Sequence, residues 1–229
     1  MADVLNPYAY IGNLHNNGLD FVAQNLLSFD RVPSEPEVII NLSATFVNNS
    51  SSFPGATFDN LVTAGTLAYN NVLSDSYPSD FTERQIAYAK QVEAVFDGYE
   101  NPFNHIDEIN TKINSEVQKV INSDLTEEEQ MPLLAGLAVG KSSLHYWNQQ
   151  VVDSNSYWSQ VNYQQASKID WPDINWRKVG RADVKGAVGG FFKGLFGGGG
   201  TALGGAATGA IGSSAAEIAV QIYDYYFGE

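Results

Sequence analysis

The chain has 229 residues, 44% of them hydrophobic, and a mean hydropathy of −0.19; it can bury a sizeable core and is not a multi-span membrane protein. It contains no cysteine, which excludes disulfide scaffolds, zinc–thiolate sites and thiol nucleophiles. A net charge of −14 argues against nucleic acid as a partner, because that affinity rests on neutralising phosphates.

The opening MADVLNPYAYIGN lacks a basic segment followed by an apolar run, so no secretory signal peptide is expected. The protein is expected to be cytoplasmic as made, or to leave by dedicated export or delivery machinery. The first helical region, NPYAYIGNLHNNGLDFVAQNLL, is expected to break at Asn17-Gly18. Ser34 and Glu37 are spaced to open a helix through EPEVIINLSATFV, and residues 48–57 read as a loop. Asp80 and Glu83 are spaced as a cap pair for a helix that puts Ile86, Ala89, Val92 and Phe96 on one face. Asn101 is placed as an N-cap with Pro102 at the first helical position. Behind them Phe103, Ile106, Ile109, Ile113, Val117 and Val120 recur every three or four residues.

Thr126 and Glu129 have capping-box spacing, but Pro132 would clash with the carbonyl four residues earlier. A short turn at 126–130 and a main helix starting near Pro132 are expected. Residues 153–156 read as a loop, and no stretch alternates with period two. The expected fold class is all-α: a helical-bundle body over 1–176 and a helical hairpin over 177–229.

Motifs that carry chemistry are scarce. His105 and Glu108 lie one turn apart, but the di-iron pattern is Glu-x-x-His and is needed twice. Ser142, Ser143 and His145 are close in sequence but splay around a helix, and neither GxSxG nor SxxK occurs. Asp153 opens like a calcium loop that fails at Trp158 and Gln164. The glycine run ends GGGGT, without the lysine of a phosphate-binding loop. No catalytic residue, metal site or cofactor is expected, and the chain reads as non-enzymatic. Trp147, Trp158, Trp171 and Trp176 fit core packing, with interfacial anchoring as the other reading.

The segment from Gly186 to Gly212 places 12 glycines in 27 positions. Gly186, Gly190, Gly194 and Gly198 repeat every four residues, and so do Gly205, Gly209 and Ser213. A parallel ridge runs through Gly204, Thr208, Gly212 and Ala216. Small residues at that spacing form a groove on a helix face and let two backbones approach closely. Two such helices joined by Gly197–Gly200 suggest a hairpin packed groove to groove. Each glycine costs about 0.8–1 kcal/mol of helix propensity relative to alanine, on the order of 10 kcal/mol for the block. Packing inside the protein, a partner or a bilayer must offset that cost for the helices to form.

Charge is distributed unevenly around this block. Arg177, Lys178, Arg181, Lys185 and Lys193 precede or enter it in an otherwise acidic chain, and they would attract anionic lipid headgroups. Gly194 to Ala216 is 23 residues without a charge, long enough by count to span a bilayer.

The stretches NPYAYIGNLHNNGLDF and SSLHYW with the G-x-x-x-G tail together resemble a group of uncharacterised bacterial proteins. That group pairs a helical N-terminal region with a glycine-zipper C-terminus. The tail is also similar to segments of membrane-active bacteriocins and pore-forming proteins. It departs from them by its Lys185 and Lys193 and by its low Leu/Ile content.

The leading expectation is a bacterial effector-like or bacteriocin-like protein. Its zipper hairpin would be shielded in the body, with segment 146–176 as candidate cover, and would insert into an anionic membrane and self-associate over 186–216. The alternative is a structural or interaction protein whose hairpin packs on its own body or on a partner helix.

Overall fold

The computed structural model describes residues 5–166, 171, 173–194 and 199–228, and among these there is no strand. The fold is all-α. Helices α1 (Ala9–Leu26), α2 (Pro36–Asn49), α3 (Phe58–Leu73) and α4 (Glu83–Glu93) are followed by two 3-10 turns. Then come α5 (Ile106–Ile121), α6 (Glu127–Val152), α7 (Tyr157–Ala166), α8 (Trp176–Gly194) and α9 (Gly199–Phe227).

Local signals set most of these starts, though not always the expected ones. Helix α1 runs through Asn17-Gly18 without a break; the side chain of Ile211 fills the space that a Cβ on Gly18 would take. Tertiary packing there offsets the weak propensity of glycine. Helix α2 opens at Glu35 with Pro36 in the first turn, without a side-chain cap from Ser34. The expected Asp80–Glu83 pair yields to a capping box two residues on. The Gln85 amide donates to Thr82 Oγ1 at 3.2 Å, and the Thr82 amide donates to Gln85 Oε1 at 3.0 Å.

Asn101 caps as expected, accepting from the Phe103 amide at 3.0 Å, but it opens a 3-10 turn, Pro102–His105, ahead of α5. The expectation that Pro132 delays α6 is overturned: the Thr126–Glu129 box closes and Pro132 lies inside the helix. Proline removes one intrahelical bond. The box satisfies two orphan amides, and every residue from Pro132 to Gly140 is buried.

The C-terminal pair, α8 and α9, is the centre of the bundle. Helix α3 lies on both, α6 lies on α8, and α1 and α2 lie on α9. In α9, every residue from Thr201 to Ala216 except Leu203 is buried. A helix covered all round belongs in a core, which explains why this one can lack a polar face. One hydrophobic cluster joins α1, α2, α3, α6, α7, α8 and α9, and so draws on both sides of the 176/177 boundary. A second joins α4 and α5 to the opposite faces of α6 and α8 through Val184 and Val188.

Candidate functional site

The two glycine series meet. A Cβ on Gly186 would lie 2.5 Å from the Gly209 carbonyl oxygen, and one on Gly190 would strike the Gly205 carbonyl. Gly209 in turn faces the Gly186 carbonyl and, at 3.0 Å, the Gly190 Cα. The pairing of 186 with 209 and 190 with 205 makes the hairpin antiparallel. A Cβ on Gly212 would face α2 instead, 3.4 Å from Ile40 Cγ1. Gly194 closes α8, and Gly198 lies outside the described residues. No helix among the described residues is long and apolar enough to cross a membrane.

The basic segment divides in the same way. Arg177 and Lys178 are exposed, while Lys185 is 4% exposed and lies 2.6 Å from Asp75 and 3.8 Å from Glu93. Arg181 spans the same two carboxylates at 3.4 and 3.3 Å. The hydrogen bond and charge of Lys185, with Arg181 behind them, hold the Asp75 carboxyl below its ordinary range. Burial, reinforced by Glu93, pushes the Tyr77 hydroxyl well above its ordinary value. The Lys193 side chain lies outside the described residues.

A second constellation joins the two N-terminal and central motifs, NPYAYIGNLHNNGLDF and SSLHYW. Gly12 permits the contact: a Cβ there would lie 2.5 Å from the Ala138 carbonyl oxygen of α6. Around that crossing Asn6 Nδ2 donates to the Leu134 carbonyl at 2.8 Å, and Asn16 Nδ2 donates to Ser142 Oγ at 2.8 Å. Tyr146 donates to Asp20 at 2.7 Å. Burial raises the Asp20 carboxyl, partly offset by that bond, and burial with the Asp20 charge raises the Tyr146 hydroxyl.

Behind Asn16 the polar contacts continue inward. His15 Nδ1 lies 3.1 Å from Asn16 Oδ1, and His15 Nε2 lies 2.9 Å from Asp183 Oδ1 with both side chains fully buried. Ser143 donates to the other Asp183 oxygen. Ser143, Asp183 and His15 carry the residue types of a hydrolytic triad, but Ser143 is 1% exposed and no substrate reaches it. They tie α1, α6 and α8 together.

Outside this crossing, α1, α5 and α6 leave an open groove of about 510 Å³, within the range of ligand sites. Its floor is aliphatic (Ala9, Ile113, Val117, Leu137), and Asn6, Asn13, Asn16, Asn114 and Gln149 line it with Lys141 and His145. His145 is held 2.9 Å from the Asn110 amide nitrogen, and Lys141 donates to Asn114 at 3.2 Å.

The remaining candidate groups stay apart. His105 and Glu108 form an exposed pair at 3.4 Å, and no group of three possible metal ligands occurs among the described residues. The tryptophans pack on one another, with ring centroids 5.3 Å apart for Trp147–Trp158, 5.8 Å for Trp147–Trp176 and 5.7 Å for Trp171–Trp176. The groove is the feature that sequence reasoning missed. Its signal was the asparagines at 6, 13 and 16, the first just ahead of α1 and the other two on it, a spacing that has meaning only once α6 is known to lie beside them.

The fold and site define a class, an all-α bundle built around a glycine-rich hairpin with an open amide-lined groove. No family model, curated protein or solved structure matches the chain, so this geometry carries the functional reading.

Proposed function

We propose that the chain is a non-enzymatic structural or interaction protein whose glycine-zipper hairpin packs on its own body and serves as its scaffold. The observation that carries this reading is the burial of α9 on all sides from Thr201 to Ala216. The small residues that could have formed a membrane or partner surface are already used against α8, α2 and α3. A further observation favours it over insertion into an anionic membrane. Asp183 and Lys185 of α8 are committed to buried pairs with His15 and Glu93 that insertion would break, and stranding a buried charge costs about 3–5 kcal/mol.

The test is flotation of the full-length protein with phosphatidylglycerol-rich vesicles, paired with thermal melting of Gly209→Leu. This reading expects no flotation at neutral pH and a melting transition that is lost or greatly lowered by the substitution. Flotation with residues 186–216 protected from protease, and a Gly209→Leu variant that melts normally, would instead establish the membrane-inserting protein.

A further inference from the structure

The groove between α1, α5 and α6 differs in charge from the rest of the molecule. The protein carries 26 acidic residues against 12 basic ones, yet among the described residues no carboxylate lines the groove, where Lys141 is the charged group and His145, whose Nε2 accepts from the Asn110 amide, keeps its other ring nitrogen to donate. These two residues are four apart on α6 and so share a face. The field inside the groove is therefore more positive than its surroundings, and an anionic group gains there what it would lose elsewhere on this surface.

The hydrogen-bonding groups are carboxamides, each offering a donor pair and an acceptor. Asn13 and Gln149 are exposed and have no side-chain hydrogen bond among the described residues. Asn16 is held from behind by the His15 contact at 3.1 Å, so its position is fixed before any ligand arrives. That pre-organisation lowers the cost of binding.

Length selects the ligand. The α6 wall from Leu137 to Gln149 measures about 18 Å at 1.5 Å per residue. An extended peptide of five residues covers about 17 Å and presents an amide donor and a carbonyl acceptor at every step. Its side chains would alternate between the aliphatic floor and solvent.

We infer that this groove receives an extended peptide segment of about five residues bearing a carboxylate, with Lys141 and His145 taking the carboxylate and Asn13 and Gln149 the peptide main chain. The inference is independent of the scaffold reading of the hairpin, because Asn13, Lys141, His145 and Gln149 are at least partly exposed groups of α1 and α6.

The experiment probes the full-length protein with three arrays of acetylated, amidated pentapeptides. Each array has a fixed central Asp, Asn or Lys and mixed residues elsewhere; the tightest acidic sequence is then titrated by fluorescence anisotropy. The Asp array should be retained about tenfold more than the Lys array. The double variant Lys141→Ala/His145→Ala should weaken the titrated peptide about tenfold, and Asn13→Ala and Gln149→Ala about threefold each, as expected for losing charge-assisted and neutral hydrogen bonds. Unchanged melting temperatures would show that these variants remain folded. Equal retention of the Asp and Lys arrays, no retention of any array, or acidic binding untouched by these four substitutions would overturn the inference. So would a panel of acidic oligosaccharides binding more tightly than every peptide with the same variant sensitivity.

Discussion

Two of the helix crossings built on glycine do different things. At the α8–α9 crossing glycine faces glycine on both helices, and the contact is backbone against backbone. Its hydroxyls are passengers: Ser213 Oγ is buried there without a hydrogen-bond partner. At the α1–α6 crossing a single glycine, Gly12, faces the Ala138 carbonyl. Asn6, Asn16 and Tyr146 then fasten the helices by directed bonds. The first crossing closes the core, whereas the second holds two helices at a fixed offset and leaves a lined groove beside them.

Substitutions can break or sharpen that contrast. The largest effect is expected for Gly190→Leu, which drives a branched side chain into the Gly205 backbone in a crossing with no flexible neighbour. Cooperative thermal unfolding by circular dichroism should be abolished, a loss beyond about 4 kcal/mol. Next comes Asp183→Ala, which strands the fully buried His15 and Ser143. Chemical denaturation should show a loss of about 3–5 kcal/mol, with Asp183→Asn less damaging because it keeps a partner for both.

Ser213→Ala should do the opposite. Removing a buried unsatisfied hydroxyl leaves stability unchanged or raises it by up to about 1 kcal/mol, where a matching deletion of Ser143 lowers it.

The smallest effect lies at the rim. The Asp75 carboxyl is held below its ordinary value chiefly by Lys185, so its contribution is present above the unfolded value near pH 4. That contribution is lost as pH falls through the depressed folded value. Asp75→Asn should therefore lower the melting temperature at pH 6–7, and the difference should shrink as the pH falls through the depressed folded value. The carboxylate is 74% exposed, so solvent screening keeps the difference within about 1 kcal/mol.

The contrast also explains what could be read from the sequence. The α8–α9 contact was legible because a four-residue repeat of glycine is local information that defines a helix face. The all-α class was legible because apolar periodicity is local too. The groove was not legible, because Asn16 and Ser142 become neighbours only through a crossing that spans 126 positions of sequence. The unbroken α1 at Gly18 depends in the same way on Ile211 in α9. The Asp80 and Pro132 readings failed for a narrower reason. At Asp80 a second cap signal two residues on, Thr82 with Gln85, closed the reciprocal box; at Pro132 the Thr126–Glu129 box already visible in the sequence closed in spite of the proline, and in both places the box set the helix start. The membrane expectation rested on the glycine spacing, the uncharged stretch, the basic flank and a resemblance, and none of these distinguishes a helix surrounded by lipid from one surrounded by other helices.

The central claim is that the α8–α9 hairpin is the core on which the other helices assemble. Native-state amide hydrogen exchange of the full-length protein tests it most directly. The account predicts that amides of Ala182–Gly190 and Ala202–Ala216 exchange slowest of all and only through global unfolding. Exchange of the hairpin through a separate, lower-energy opening while α1 to α6 stay protected would contradict it.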